Sequence, residues 1–267
     1  MPYRICMCPW EFYVKPFKII DNLYYIGNKD VSVHLLTTRN GLVLIDTAFP
    51  QTAYQILENI RMLGFDPADI YAIIHTHAHY DHCGSTKALV ELTGAKTYLG
   101  KDDISIIENY HLRTWANYYG TEFYEQFTID YTLSDNQKIN FGGTDITFIA
   151  TPGHTDGTMS MFFDVKENGR TYKVGLHGGP GLNTLSREVM RYYDLPEKNR
   201  TDFLNSLEKL KKIPVDIQLG IHPFQNNTFG KFAKMNSGSN PFINSDEWLR
   251  FLNKLETDAK ELFSRDK

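Results

Sequence analysis

Short apolar runs ended by glycine, asparagine or a charge recur along the first half of the chain. Leu42-Val43-Leu44-Ile45 and Tyr71-Ala72-Ile73-Ile74 are unbroken, the pattern of strands covered on both faces. Phe17 to Gly27 reads as a strand pair turning at Asp21-Asn22, and Val31 to Thr38 as a strand turning through Arg39-Asn40-Gly41 into the next. Ala53, Leu57, Ile60 and Leu63 recur at helical spacing until Gly64 stops the helix. Strand 71–75, helix 84–92, strand 96–99 and helix 101–109 continue an α/β alternation. Residues 111–127 hold Trp115, Tyr118, Tyr119, Phe123, Tyr124 and Phe127 with few aliphatic neighbours. They predict an aromatic helical insertion, either a wall over a binding site or a satellite core. Thr128–Tyr131 and Ile139–Phe141 read as strands around Asp135-Asn136, followed by strand 145–150 and a strand pair turning at Glu167-Asn168-Gly169. A helix begun near Lys198 and running to Leu210, strand 215–220 and a terminal helix after Asn240-Pro241-Phe242 complete the chain. With no repeat, low-complexity tract or flexible linker, residues 1–267 read as one domain with an N-terminal extension over 1–16.

Composition narrows the class. The chain has 267 residues, 42% hydrophobic and 22% charged, and can bury a substantial core without staples. A net charge of −4 gives no electrostatic footprint for nucleic acid or an anionic membrane. No apolar run approaches a membrane span or the length of a signal peptide, so a cytoplasmic protein is expected. Cys6, Cys8 and Cys83 are an odd count and no disulfide framework; Cys6-x-Cys8, an isolated pair, reads as a local accident rather than a metal site. The expected partner is a small-molecule substrate, with no signal for an oligomeric state.

One stretch stands out chemically. Between His75 and His82 lie four imidazoles and the carboxylate of Asp81. Histidine is the commonest transition-metal side-chain ligand and is largely neutral near pH 7. The run follows a buried strand and precedes a helix, so it sits on a loop at a strand's C-terminal end. In His77-x-His79-x-Asp81-His82, His77 and His79 can reach one metal while Asp81 and His82 turn toward a second. Two further histidines end strands in the same way, His154 in Thr151-Pro152-Gly153-His154-Thr155 and His222 in Ile221-His222-Pro223. Asp46 also ends a strand, where it can fix an imidazole tautomer or cap the next helix. His34 lies inside a strand and reads as a core or surface histidine. His177, beside Gly178-Gly179-Pro180-Gly181, is expected to lie outside the metal shell.

The His77-x-His79-x-Asp81-His82 motif resembles the signature of the metallo-β-lactamase superfamily, and Thr151–Thr155 resembles its second metal motif. The resemblance spans roughly residues 17–260. Asn22–Gly27, the absence of a bridging acid or cysteine near 177, His222-Pro223 and Asn240–Phe242 resemble subclass B3. The resemblance implies an αβ/βα sandwich, a four-layer α/β fold with two mixed sheets between outer helices. It implies a first zinc on His77, His79 and His154 and a second on Asp81, His82 and His222, with Asp46 supporting the loop. Two Zn2+ per chain are expected, with Mn or Fe as alternatives at such a donor set. The implied reaction is attack of metal-bound hydroxide, oriented by Asp81, on an amide, lactam or ester carbonyl. Trp115, Tyr118 and Tyr119 are the candidate substrate contacts. Lactone or thioester hydrolysis on the same fold is the alternative; a redox diiron protein and a non-catalytic metal-binding module are weaker readings.

Overall fold

The computed structural model describes residues 3–236 and 238–266; Met1, Pro2, Ser237 and Lys267, within the span read as one domain, lie outside them. A short helix α1 (Arg4–Met7) precedes β1 (Phe17–Ile20), β2 (Leu23–Tyr25), β3 (His34–Thr38) and β4 (Gly41–Ile45). There follow α2 (Ala53–Met62), β5 (Ile70–Ile74), α3 (Tyr80–Cys83), α4 (Thr86–Thr93), β6 (Lys96–Gly100), α5 (Ile104–Glu108) and β7 (Tyr131–Leu133). Next come β8 (Gln137–Phe141), β9 (Thr144–Ala150), β10 (Met159–Glu167) and β11 (Arg170–Leu176). The chain ends with α6 (Arg187–Tyr192), α7 (Lys198–Leu210), β12 (Ile217–Leu219), α8 (Thr228–Lys234) and α9 (Ser245–Arg265).

Strands β1 to β7 form one sheet in chain order, antiparallel as far as β4 and parallel beyond it. The second sheet runs β12-β11-β10-β9-β8, antiparallel except between β11 and β12. The strand alternation sorts side chains into layers. Val43 and Ile45 join Phe148, Met161 and Val174 between the sheets. Leu42 and Leu44 face outward against Ile56, Ile60 and Leu89 of α2 and α4. On the far side, Phe162 meets Phe203 and Leu207 of α7 and Trp248 and Leu252 of α9. The result is the expected four-layer sandwich of two mixed sheets between helices.

Three local expectations change. The strands around Asp135-Asn136 are no hairpin: β7 begins at Tyr131 and pairs with β6, whereas β8 belongs to the other sheet. Residues 128–130 stay out of the ladder because the side chains of Thr97 and Asp130 take the local hydrogen bonds, Thr97 Oγ1 to the Thr128 carbonyl at 2.5 Å and the Thr97 amide to Asp130 Oδ2 at 3.1 Å. The aromatic insertion is not α-helical: it makes two 3₁₀ turns, 111–114 and 116–119, separated by Trp115 at φ +67°. A left-handed residue there interrupts any helix. Helix 101–109 likewise shortens to a 3₁₀ turn and α5.

No helix among the described residues is long and apolar enough to cross a membrane.

Candidate metal centre

Loops leaving the C-terminal ends of β4, β5, β6, β9, β11 and β12 meet at one edge of the sandwich. They bring together two groups of donors, His77 with His79 and His154, and Asp81 with His82 and His222. Within each group the donor atoms lie within 4.8 Å of one another. His77 Nε2 and His79 Nδ1 are 3.0 Å apart. Asp81 Oδ2 lies 3.4 Å from His82 Nε2 and 3.6 Å from His222 Nε2. The His77 and His82 rings, 4.4 Å apart, make the groups neighbours. A tetrahedral zinc with bonds of about 2.0–2.1 Å holds its nitrogens roughly 3.3 Å apart, close to these separations, and the donor types suit borderline divalent cations.

The distal nitrogens of His77, His82, His154 and His222 are held. The Asp46 carboxylate accepts from His82 Nδ1 at 2.8 Å, from the Thr76 amide at 2.8 Å and from Thr76 Oγ1 at 2.8 Å. That hydroxyl in turn faces His77 Nδ1 at 3.0 Å. Asp46 therefore supports both donor groups and caps no helix; its φ of +60°, tolerated by aspartate, turns the chain at the end of β4. His154 donates from Nδ1 to the Gly181 carbonyl at 2.8 Å, and His222 from Nδ1 to the Asp30 carbonyl at 2.7 Å. Each such bond fixes a tautomer that leaves Nε2 free toward the centre.

Burial sets the protonation states. It holds His77 and His79 well below the usual histidine range, with neighbouring imidazoles adding to the effect, and lowers His154 to about 4. These rings are neutral lone-pair donors at pH 7. At His82 burial acts downward, but the carboxylates of Asp81 and Asp46 prevail and raise it to about 10.

The Gly-rich segment has a steric reason. A Cβ on Gly179 would lie 2.7 Å from His154 Cβ, and one on Gly181 2.9 Å from His154 Cε1. The backbone passes against the His154 ring, and only glycine permits that approach. His177 stands apart from both donor groups: it is buried, stacks on Phe203 and accepts from the Gly179 amide at 3.2 Å. His34 is buried against the edge of Tyr25. Cys6 and Cys8 are free and partly buried, and neither joins a donor group among the described residues.

Sequence reasoning passed over Asp103. Its carboxylate, fully buried, accepts from the Ala78 amide at 2.9 Å, Thr155 Oγ1 at 2.8 Å and the Gly157 amide at 2.6 Å. It therefore ties the loop of His77 and His79 to that of His154. The signal was the one used for Asp46, an acid just beyond a strand end, hidden beside Asp102 in an apparent helix. The N-terminal extension also contributes: Arg4, Ile5 and Phe12 line the cavity over the donors, about 580 Å³ in volume, together with Trp115, Tyr118 and Tyr119.

The model of the metallo-beta-lactamase superfamily matches residues 26–167. The chain belongs to that superfamily. This metallo-beta-lactamase-fold protein is a metal-dependent hydrolase. The structure of BJP-1, a subclass B3 metallo-beta-lactamase of Bradyrhizobium japonicum, is 31% identical, with a TM-score of 0.89 and 98% of each chain covered. LRA-12, a class B3 di-zinc metallo-beta-lactamase from an Alaskan soil metagenome, is 28% identical with a TM-score of 0.82, covering 95% of this chain and 96% of that one. Among curated relatives, the probable metallo-hydrolase MJ0296 of Methanocaldococcus jannaschii is 25% identical over 170 residues, 64% of this chain and 67% of that protein. The chain spans 42%, 59% and 64% of the next three curated relatives it matches.

Proposed function

We propose that this chain, acting as one domain, is a dinuclear zinc hydrolase of the subclass B3 kind that opens the amide of a β-lactam ring. The observation that carries the reading is the pair of donor triads, buried except for half-buried His222, beneath one cavity. The likeness to subclass B3 lactamases over 98% of the chain supports the lactam substrate over a lactone or thioester.

In this reading His77, His79 and His154 hold one cation and Asp81, His82 and His222 the other. Two such cations, when bound, supply Lewis acidity and a water that is deprotonated near neutral pH. The Asp81 carboxylate accepts a hydrogen bond from the attacking water and orients it toward the carbonyl. Asp46, through His82 and Thr76, keeps the imidazoles in the tautomer that binds. Trp115 and Tyr119 shield the site: Trp115 lies against His79, with ring centroids 5.5 Å apart, and burial and the Asp81 charge push the Tyr119 phenol up, keeping it a hydrogen-bond donor.

Zinc content and turnover on β-lactams, lactones and thioesters, with the His79→Ala variant as blank, test the proposal. Two zinc per chain and lactam turnover lost in the variant are expected. Turnover confined to lactones or thioesters would overturn the substrate class, and full activity without stoichiometric metal would overturn the mechanism.

A further inference from the structure

Thr47 is flanked by two non-glycine residues in left-handed backbone, Asp46 at φ +60° and Ala48 at φ +52°. Aspartate tolerates that region; alanine has no side chain to compensate it, so the turn persists only where its surroundings hold it. This turn carries Asp46 to His82 and Thr76, and whatever holds it bears on the donor groups.

The hold is a buried chain of hydrogen bonds ending on His75, the one imidazole of the His75–His82 run that belongs to neither donor group. His75 Nδ1 lies 3.0 Å from the Tyr98 carbonyl and Nε2 lies 2.7 Å from Thr86 Oγ1. Thr86 Oγ1 lies 2.9 Å from Thr47 Oγ1, and the Thr47 amide donates to the His82 carbonyl at 2.8 Å. All three side chains are fully buried. Proton directions follow from one end. A carbonyl only accepts, so His75 Nδ1 carries the proton and Nε2 accepts from the Thr86 hydroxyl. The Thr86 oxygen then receives the Thr47 hydroxyl proton. Turned to the His82 carbonyl at 3.2 Å instead, that proton would leave the two hydroxyl oxygens facing each other with none between them. One arrangement therefore satisfies every member, and a fully satisfied buried chain is rigid. His75 is itself fixed by its stack on Phe127, ring centroids 5.1 Å apart. Gly84 closes the other side of the turn: a Cβ there would lie 2.9 Å from the Ala48 carbonyl oxygen.

We propose that His75 is a positioning residue for the second donor group, acting through Thr86 and Thr47 to hold the strained Asp46–Ala48 turn where Asp46 meets His82. With no exposed surface, it meets neither metal nor substrate. The inference rests on the reading that Asp81, His82 and His222 hold a cation. Cutting the chain lets the turn relax and takes Asp46 from His82 Nδ1.

Zinc affinity is measured for each donor group, by chelator competition, in wild type, Thr86→Val, Thr86→Ser and His75→Phe. Valine keeps the shape of threonine without the hydroxyl, serine keeps the hydroxyl, and phenylalanine keeps the stack on Phe127 without the nitrogens. Affinity at Asp81, His82 and His222 is expected to fall about tenfold in Thr86→Val and His75→Phe and to stay within about twofold in Thr86→Ser, with the other group less affected. Should His75→Phe fail to fold, the Thr86 pair carries the test. Wild-type affinity in Thr86→Val, or equal loss at both groups, overturns the proposal. Nitrogen NMR of wild type should place the His75 proton on Nδ1; a proton on Nε2 overturns the chain. If wild type takes no zinc at the second group, the dinuclear reading fails by itself. Hydrogen exchange of the Thr47 and Thr76 amides in metal-free protein then decides the chain: protection about tenfold lower in Thr86→Val than in Thr86→Ser supports it, and equal protection overturns it.

Discussion

Asp103 and Gly157 meet at 2.6 Å, carboxylate to backbone amide, across fifty-four residues of chain. The same carboxylate holds the amide of Ala78, the residue between two imidazoles of the first donor group. Asp103 is thus a positioning residue for a site it does not enter. Partners at this remove typically change metal affinity by about 10–100-fold. On the proposed dinuclear reading, Asp103→Asn should weaken zinc binding at His77, His79 and His154 by about tenfold or more and leave the other donor group less affected, measured by chelator competition.

Asp103 also makes stability depend on pH. Burial raises its pKa to about 6, although three hydrogen bonds act the other way. Its unfolded value is about 3.9. The folded state therefore holds the proton longer, and stability is lost as pH rises from about 4 through 6. In chelated protein, denaturant unfolding should show wild type losing about 2 kcal/mol relative to Asp103→Asn between pH 4 and 7. A pH-independent difference would mean that the carboxylate is ionised throughout.

Asp46 acts on both donor groups, but its direct imidazole contact is to His82 alone. Asp46→Asn should therefore lower second-site zinc affinity by about 10–100-fold and the first site by less, through Thr76. Zinc titration resolved into two steps would show it; equal loss at both sites would show that the loop as a whole depends on Asp46.

The Gly-rich segment gives a paired steric prediction. A Cβ on Gly178 would lie 2.0 Å from the Met159 carbonyl oxygen, a backbone atom with little room to move. Gly178→Ala should destabilise the fold by about 3 kcal/mol or more. Gly181→Ala instead presses on the His154 ring at 2.9 Å and on the Asn183 side chain at 2.6 Å. It should keep most of the stability and lose turnover with first-site zinc, as thermal unfolding and zinc content will show.

How far the sequence could be read depended on the range of the interactions concerned. The His77–His82 run was legible because donors two residues apart on one loop need no distant partner to declare themselves. His154 and His222 were legible by the same strand-end pattern. The unbroken runs of β4 and β5 announced burial on both faces, and the sandwich supplies it with Phe148 on one side and Ile56 on the other. The insertion misled because aromatic spacing resembles a helix, while Trp115 takes a left-handed backbone that only its packing on Tyr193 and His79 explains.

By itself, then, the sequence determined the donor types, their loops and the alternation that builds two sheets, since each is set by residue chemistry or by periods of a few residues. Tertiary structure alone decided which carboxylate holds which loop, that the N-terminal segment walls the cavity, and that residues 131–133 join the first sheet. Those outcomes depend on contacts between residues tens of positions apart, whose energies the folded chain balances together and no local pattern encodes.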